Sequence, residues 1–216
     1  MCIRDRVVRL AAGASVADLA RVSGVEILRQ DPDHRLALVR SRSPRDRLPR
    51  SLVRTVQPQS AVEISGDPEW GYQEGDPEWG YQEWDSLAAD GQQMMEQLEL
   101  SRAWTVRRGA GVRVAVLDTG VDGAHPRLLG RVEALPPTSS FASGESSNGL
   151  DDDGDGLIDE GYGHGTHVAG VILGVAPAAT VVSFAVLGDD GFGTVYDVAQ
   201  ALLEARDLGA VSYTHL

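Results

Sequence analysis

Val112-Arg113-Val114-Ala115-Val116-Leu117-Asp118-Thr119-Gly120 is the stretch from which the fold is read. Residues 112–117 are mostly apolar and end abruptly at an aspartate. A strand with one wet face alternates apolar and polar side chains, whereas a strand covered on both faces reads as a continuous apolar run. Working towards the carboxyl end, a long loop follows, then a helix from near His164 to about residue 173. Residues 180–187 form a second apolar strand, 188–193 a loop, and 194–208 a helix with Val198, Ala201, Leu202 and Ala205 on one face. Strand, helix, strand, helix at this spacing predicts a parallel sheet with covering helices, a three-layer α/β domain. On the amino side, Leu98, Leu100, Ala103 and Trp104 mark an amphipathic segment that leads into the turn 107–111.

Residues 7–65 read as a smaller α+β domain. Val7 to Leu10 is a strand, and Ser15 with Asp18 three positions on is a cap-like start for a helix that Gly24 closes. Strands follow over 25–28 and 36–39, joined by the turn at Asp31-Pro32-Asp33. A second short helix over 47–56 and a last strand over 61–64 complete a predicted β-α-β-β-α-β order. Between the domains, residues 66–83 hold the unit Gly-Asp-Pro-Glu-Trp-Gly-Tyr-Gln-Glu twice. Two short copies are too few for a solenoid, so 66–93 reads as an acidic linker. Trp70 and Trp79 are its candidate docking residues, since aromatics anchor interfaces.

Composition agrees with this division. The cations are all arginine, the first 60 residues are net positive, and 61–99 contain no arginine. Net charge over the 216 residues is −13, which argues against a nucleic-acid or anionic-membrane partner. No apolar run is long enough to span a bilayer. Met1 to Asp5 can be encoded by ATG TGT ATA AGA GAC, whose reverse complement encodes Val-Ser-Tyr-Thr-His, the residues at 211–215. Residues 1–6 and 211–216 are therefore expected to be translated sequencing adapter, leaving 94–210 as the larger domain. Setting Cys2 aside with them leaves no disulfide scaffold, cysteine nucleophile or thiolate metal site.

Two positions carry candidate chemistry. Asp118 stands at the carboxyl end of a parallel strand, the edge at which open sheets bind ligands, although an aspartate there also serves as a turn former. His164 lies in Gly163-His164-Gly165-Thr166-His167-Val168-Ala169-Gly170. The amino end of a helix disfavours the imidazolium, which keeps such a histidine neutral and able to accept a proton. The alternatives are a capping role, or a metal held by His164 and His167.

The segments 114–120 and 164–170 resemble the aspartate and histidine motifs of the subtilisin-like serine peptidases, and the resemblance extends from about residue 98 to 210. It implies a subtilisin-like catalytic domain, truncated before its serine nucleophile and oxyanion asparagine, so that the chain as written would be inactive and would fold poorly in isolation. Asp118 would orient His164, and His164 would serve as general base and then general acid. His167 would be a structural neighbour. Leu187, Gly191 and Gly193 would line the groove that pairs with an extended polypeptide substrate. The amino-terminal domain would be a propeptide that acts as an intramolecular inhibitor and is cut away within 66–93. The intact protein would be secreted or held in the cell envelope.

The acidic run 151–160 points to calcium. Asp151, Asp153 and Asp155 followed by Gly156 match the first half of a calcium loop. The carbonyl of Leu157 would add a ligand, with Asp159 or Glu160 completing the shell, because Tyr162 occupies the usual position of the closing glutamate. Carboxylates this close repel one another unless a cation neutralises them, although a solvated acidic loop is also inexpensive. Arg127 stands after His125-Pro126, where many relatives place an aspartate that ligates another calcium. A serine-free binding protein of this fold, a nucleotide-binding domain and a calcium-binding structural module are the competing functions. The nucleotide reading is weakened by Asp118 and Asp122, carboxylates where phosphates would sit.

Overall fold

The structure is a computed structural model and describes residues 4–41, 48–63, 96–133, 135, 141, 147–151, 156, 158–159 and 161–214. In chain order its elements are β1 (Arg4–Leu10), α1 (Val16–Ala20), β2 (Val25–Asp31), β3 (Leu36–Ser41), β4 (Val53–Pro58), β5 (Ala61–Glu63), α2 (Leu100–Trp104), β6 (Arg113–Asp118), β7 (Val132–Glu133), α3 (His164–Val175), β8 (Thr180–Ala185), β9 (Phe192–Thr194), α4 (Val195–Asp207) and β10 (Ser212–Thr214). They form two compact units, Met1–Val62 with Thr194–Glu204, and Glu63–Gly193 with Ala205–Leu216.

In the first unit, β1 to β4 make an antiparallel sheet in the order β2-β3-β1-β4. Its helix α1 starts at a reciprocal cap. The Ser15 hydroxyl accepts the Asp18 amide at 3.2 Å, and the Asp18 carboxylate accepts the Ser15 amide at 3.0 Å. Successive side chains of a strand point to opposite faces, and here both faces are apolar because both are covered. Val8, Leu10, Ala37 and Val39 pack with Leu19 of α1 and with Leu48. On the other face Val7, Leu36 and Leu38 pack with Tyr196 of α4, flanked by Val195, Ala199 and Leu203. The Arg29 guanidinium lies 4.5 Å from the centre of the Tyr196 ring and 2.6 Å from the Asp197 carboxylate. The Ser60 carbonyl and the Gln59 side-chain oxygen accept the Val195 and Tyr196 amides, each at 3.2 Å, which satisfies the otherwise unpaired first turn of α4.

Of the helix expected over 47–56, the described residues 48–56 form a turn and a strand instead. Leu52 and Val53 donate to the Pro49 carbonyl in a turn, and Val53–Pro58 is strand β4 beside β1. The β-branched residues Val53, Thr55 and Val56 favour a pleated strand, and Pro49 breaks a helix passing through it. Residues 42–47 and the repeat at 66–83 lie outside the described residues. Arg4 to Arg6 continue β1, and Ser212 to Thr214 form β10. Backbone pairing needs no particular side chain, so these strands leave the adapter expectation where it stood.

The second unit carries the parallel sheet, in the order β10-β6-β8-β7. From Val114 to Asp118 every residue of β6 is buried, as its apolar run predicts. One face packs Val116 and Val181 against Ala169 and Leu173 of α3, with Val121, Leu128 and Ala179 closing the cluster. Indole Nε1 of Trp104 donates to the Val175 carbonyl at 2.8 Å, which pins α2 to the last turn of α3. Among the described residues no helix is long and apolar enough to cross a membrane.

Burial pushes the Tyr196 phenol from its ordinary 10.0 up to about 12, with Asp31 and Asp197 adding to the rise and Arg29 opposing it. A raised folded-state value means that the contribution is complete below pH 10.0 and is lost as pH climbs through about 12. Alkaline titration followed by amide exchange in β3 and α4 should therefore show loosening across that window, and Tyr196→Phe should remove this component.

Candidate active site

Asp118 ends β6 with 1% of its side chain exposed, and His164 begins α3 with 28% exposed. The imidazole Nδ1 lies 2.8 Å from Asp118 Oδ1 and 2.9 Å from Oδ2. A carboxylate only accepts, so Nδ1 carries the proton and the lone pair resides on Nε2. The Thr119 amide donates to Asp118 Oδ1 at 2.7 Å, which helps to offset the cost of burying the charge.

Small residues and hydroxyls bring the two elements together. Gly163, at φ 89°, supplies the left-handed turn from which α3 starts. A Cβ at Gly165 would stand 2.0 Å from the Gly120 carbonyl oxygen, so only glycine lets the first turn of the helix rest on the loop after β6. Hydroxyls fix the contact from both sides. Thr119 Oγ1 accepts the Gly165 amide at 3.2 Å, and Thr166 Oγ1 accepts the Asp122 amide at 2.8 Å.

The residues expected to line a groove follow β8. The Asp118 carbonyl accepts the amides of Val186 at 2.9 Å and Leu187 at 3.2 Å. Leu187 and Gly193 form an isolated antiparallel bridge, and the Gly188 amide donates to the Phe192 carbonyl at 2.7 Å. Gly191 has φ 75° within the resulting tight turn. Leu187, Gly191 and Gly193 thus share one hairpin at the carboxyl end of the strand that neighbours Asp118.

The acidic residues are placed differently from a local calcium loop. Ligand oxygens of Asp159, Asp189 and Asp190 all lie within 4.8 Å of one another. Oxygen–calcium bonds of about 2.4 Å allow one ion to reach oxygens so spaced, and three carboxylates suit a hard cation. This group can therefore hold a divalent ion. The Asp189 carboxyl is held above its ordinary value, chiefly by burial, with Asp159 and Asp190 adding to the rise. Asp151 is exposed and accepts the Gly156 amide at 3.0 Å. Asp153, Asp155, Leu157 and Glu160 lie outside the described residues. Asp189 and Asp190 stand outside the expected ligand set because 188–193 reads as a loop and groove edge; the adjacent aspartates at a parallel strand's carboxyl end are the available signal.

Comparison with known proteins places this geometry. Residues 109–211 match the profile of the Subtilase family, Peptidase_S8. Thermitase of Thermoactinomyces vulgaris is 33% identical over 126 residues, covering 53% of this chain and 40% of its own length. Subtilisin BL of Lederbergia lenta is 44% identical over 110 residues, covering 47% and 35%. The chain thus spans well under half the length of these relatives. Fervidolysin of Fervidobacterium pennivorans, described as a keratinolytic enzyme related to subtilisin, superposes with a TM-score of 0.57 at 20% identity, over 99% of this chain and 35% of its own. The epidermin leader peptide processing serine protease of Staphylococcus aureus gives 0.56 at 14%, over 98% and 50%. The sequence matches show that residues 109–211 are similar to the subtilisin-like serine peptidases, and the structural ones show a subtilisin-like α/β fold.

The proton assignment is testable without catalysis. With imidazole nitrogens labelled, His164 should show a protonated Nδ1 and an unprotonated Nε2. Asp118→Ala should shift the neutral ring towards the Nε2–H tautomer that free histidine favours. An unaltered nitrogen pattern in that variant would contradict the assignment.

Proposed function

We propose that this chain is part of a serine endopeptidase that hydrolyses polypeptides through an Asp-His-Ser triad. The observation that carries the reading is the bond between buried Asp118 and Nδ1 of His164. It leaves Nε2 as the basic atom, and in this reading Nε2 takes the proton of a serine hydroxyl as that oxygen attacks the peptide carbonyl. The same proton then passes to the departing amine. Asp118 orients the ring and stabilises the imidazolium while staying ionised. Serine and oxyanion donor are proposed to come from a part of the protein outside these 216 residues, and the chain by itself is proposed to be inactive. The support for this is the family match and the fraction of each relative that the chain spans.

The substrate is proposed to be an extended polypeptide whose backbone pairs with the hairpin holding Leu187, Gly191 and Gly193. Residues 7–65 are proposed to be a propeptide that inhibits in cis. Their net positive charge against an acidic remainder favours docking. The acidic linker 66–93 is the proposed place of cleavage. Calcium is the proposed ion at Asp159, Asp189 and Asp190, where it would offset carboxylate repulsion and tie the acidic loop to the hairpin.

The test is to express the gene product together with its downstream region. It should cleave casein, react with a serine-directed fluorophosphonate and begin, once mature, within residues 66–93. Asp118→Asn should lower kcat by about ten-thousand-fold. Hydrolysis without labelling, or hydrolysis indifferent to Asp118, would refute the triad. Titration calorimetry should show calcium binding that Asp189→Asn weakens, and chelation should lower the melting temperature of the wild type more than that of the variant.

A further inference from the structure

We infer that Gly161 is a positioning residue that holds the substrate-pairing hairpin and the general base in register; the inference rests on the peptidase reading above. Gly161 is buried, and both of its backbone polar groups are engaged. Its amide donates to the Asp189 carbonyl at 2.7 Å, and its carbonyl accepts the His164 amide at 3.2 Å. One residue therefore connects the hairpin over 187–193 to the first residue of α3.

The turn around it is secured at both ends. The Asp159 amide donates to Asp190 Oδ1 at 3.0 Å, and the Tyr162 amide to the Asp159 carbonyl at 2.9 Å. The hairpin is closed by its own bonds, Gly191 amide to Gly188 carbonyl at 3.0 Å and Gly188 amide to Phe192 carbonyl at 2.7 Å. It therefore moves as a piece; the Asp118 carbonyl anchors its base, and the backbone of Gly161 sets where its tip lies.

The demand for glycine at this position is spatial. Gly163 needs its left-handed φ of 89°, but Gly161 lies outside that region, so alanine would be conformationally acceptable there. Space forbids it. A Cβ would stand 2.6 Å from the Gly191 amide nitrogen, 2.8 Å from the Asp189 carbonyl oxygen and 2.9 Å from Gly191 Cα, all backbone atoms. No rotamer change relieves such a contact, so the hairpin must move away from the turn that leads into His164. A substrate laid along the displaced edge would bring its scissile carbonyl to the wrong distance from the catalytic groups.

The test uses the full-length peptidase and two substrates. One is a peptide long enough to pair with the hairpin; the other is a small activated ester that reaches only the nucleophile. Gly161→Ala should lower kcat/KM for the long peptide by about 10- to 100-fold, the scale of an ångström's misplacement. The ester rate should be unchanged. Gly123→Ala, whose Cβ would have the Val132 side chain as its nearest neighbour at an ordinary 3.4 Å, should alter neither. Amide exchange at 189–193 should quicken in Gly161→Ala while β6 stays protected. Equal losses on both substrates, no loss on either, or unchanged exchange at 189–193 would overturn the inference while leaving the peptidase reading in place. A wild-type enzyme that cleaves neither substrate would bring down both.

Discussion

The burial of one carboxylate next to one imidazole is the constraint on which the second unit depends. An aspartate almost closed to water is tolerable only if its oxygens are satisfied. Here the Thr119 amide and the His164 ring meet that need. The ring reaches the carboxylate because the amino end of α3 rests on the loop after β6 at a distance that excludes a β-carbon from Gly165. The core beneath, Val116 and Val181 against Ala169 and Leu173, fixes the helix on the sheet from which Asp118 projects. Packing, backbone choice and charge solvation therefore converge on a single side-chain pair.

Around that pair, order passes through backbone groups more than through side chains. The hairpin after β8 is attached to the sheet through the Asp118 carbonyl and to the acidic turn through the Gly161 amide. Glycines at 161, 165 and 193 mark where one backbone presses directly on another. Such contacts are stiff, because no side chain intervenes to adjust. Divalent cation at Asp159, Asp189 and Asp190 would add a third fastening in the same corner, made of charge in place of contact.

What was legible in the sequence was what local pattern encodes. The apolar run Val114 to Leu117 within β6 announced a parallel strand covered on both faces, and Ser15 with Asp18 announced the start of α1, because strand periodicity and helix caps act over a few residues. Local position marked Asp118 and His164 as candidates, the resemblance to the subtilisin-like peptidases paired them, and the structure brings them within hydrogen-bond distance across 46 positions of chain. Residues 47–56 were misread as a helix although Val53, Thr55 and Val56 leaned towards a strand; pairing with β1 decided the matter. The carboxylate cluster escaped because Asp189 and Asp190 are about thirty residues from Asp159, and a local calcium-loop pattern supplied a nearer explanation. The role of Gly161 was invisible for a like reason: what it touches is fixed only by tertiary structure.

The carbonyl of Asp118 has one more consequence. It is the main chain of this residue, and not its carboxylate, that accepts the Val186 and Leu187 amides and so anchors the hairpin. Removing the charge at position 118 while keeping its shape would thus change the pairing with His164 and leave the main-chain anchorage of the hairpin in place.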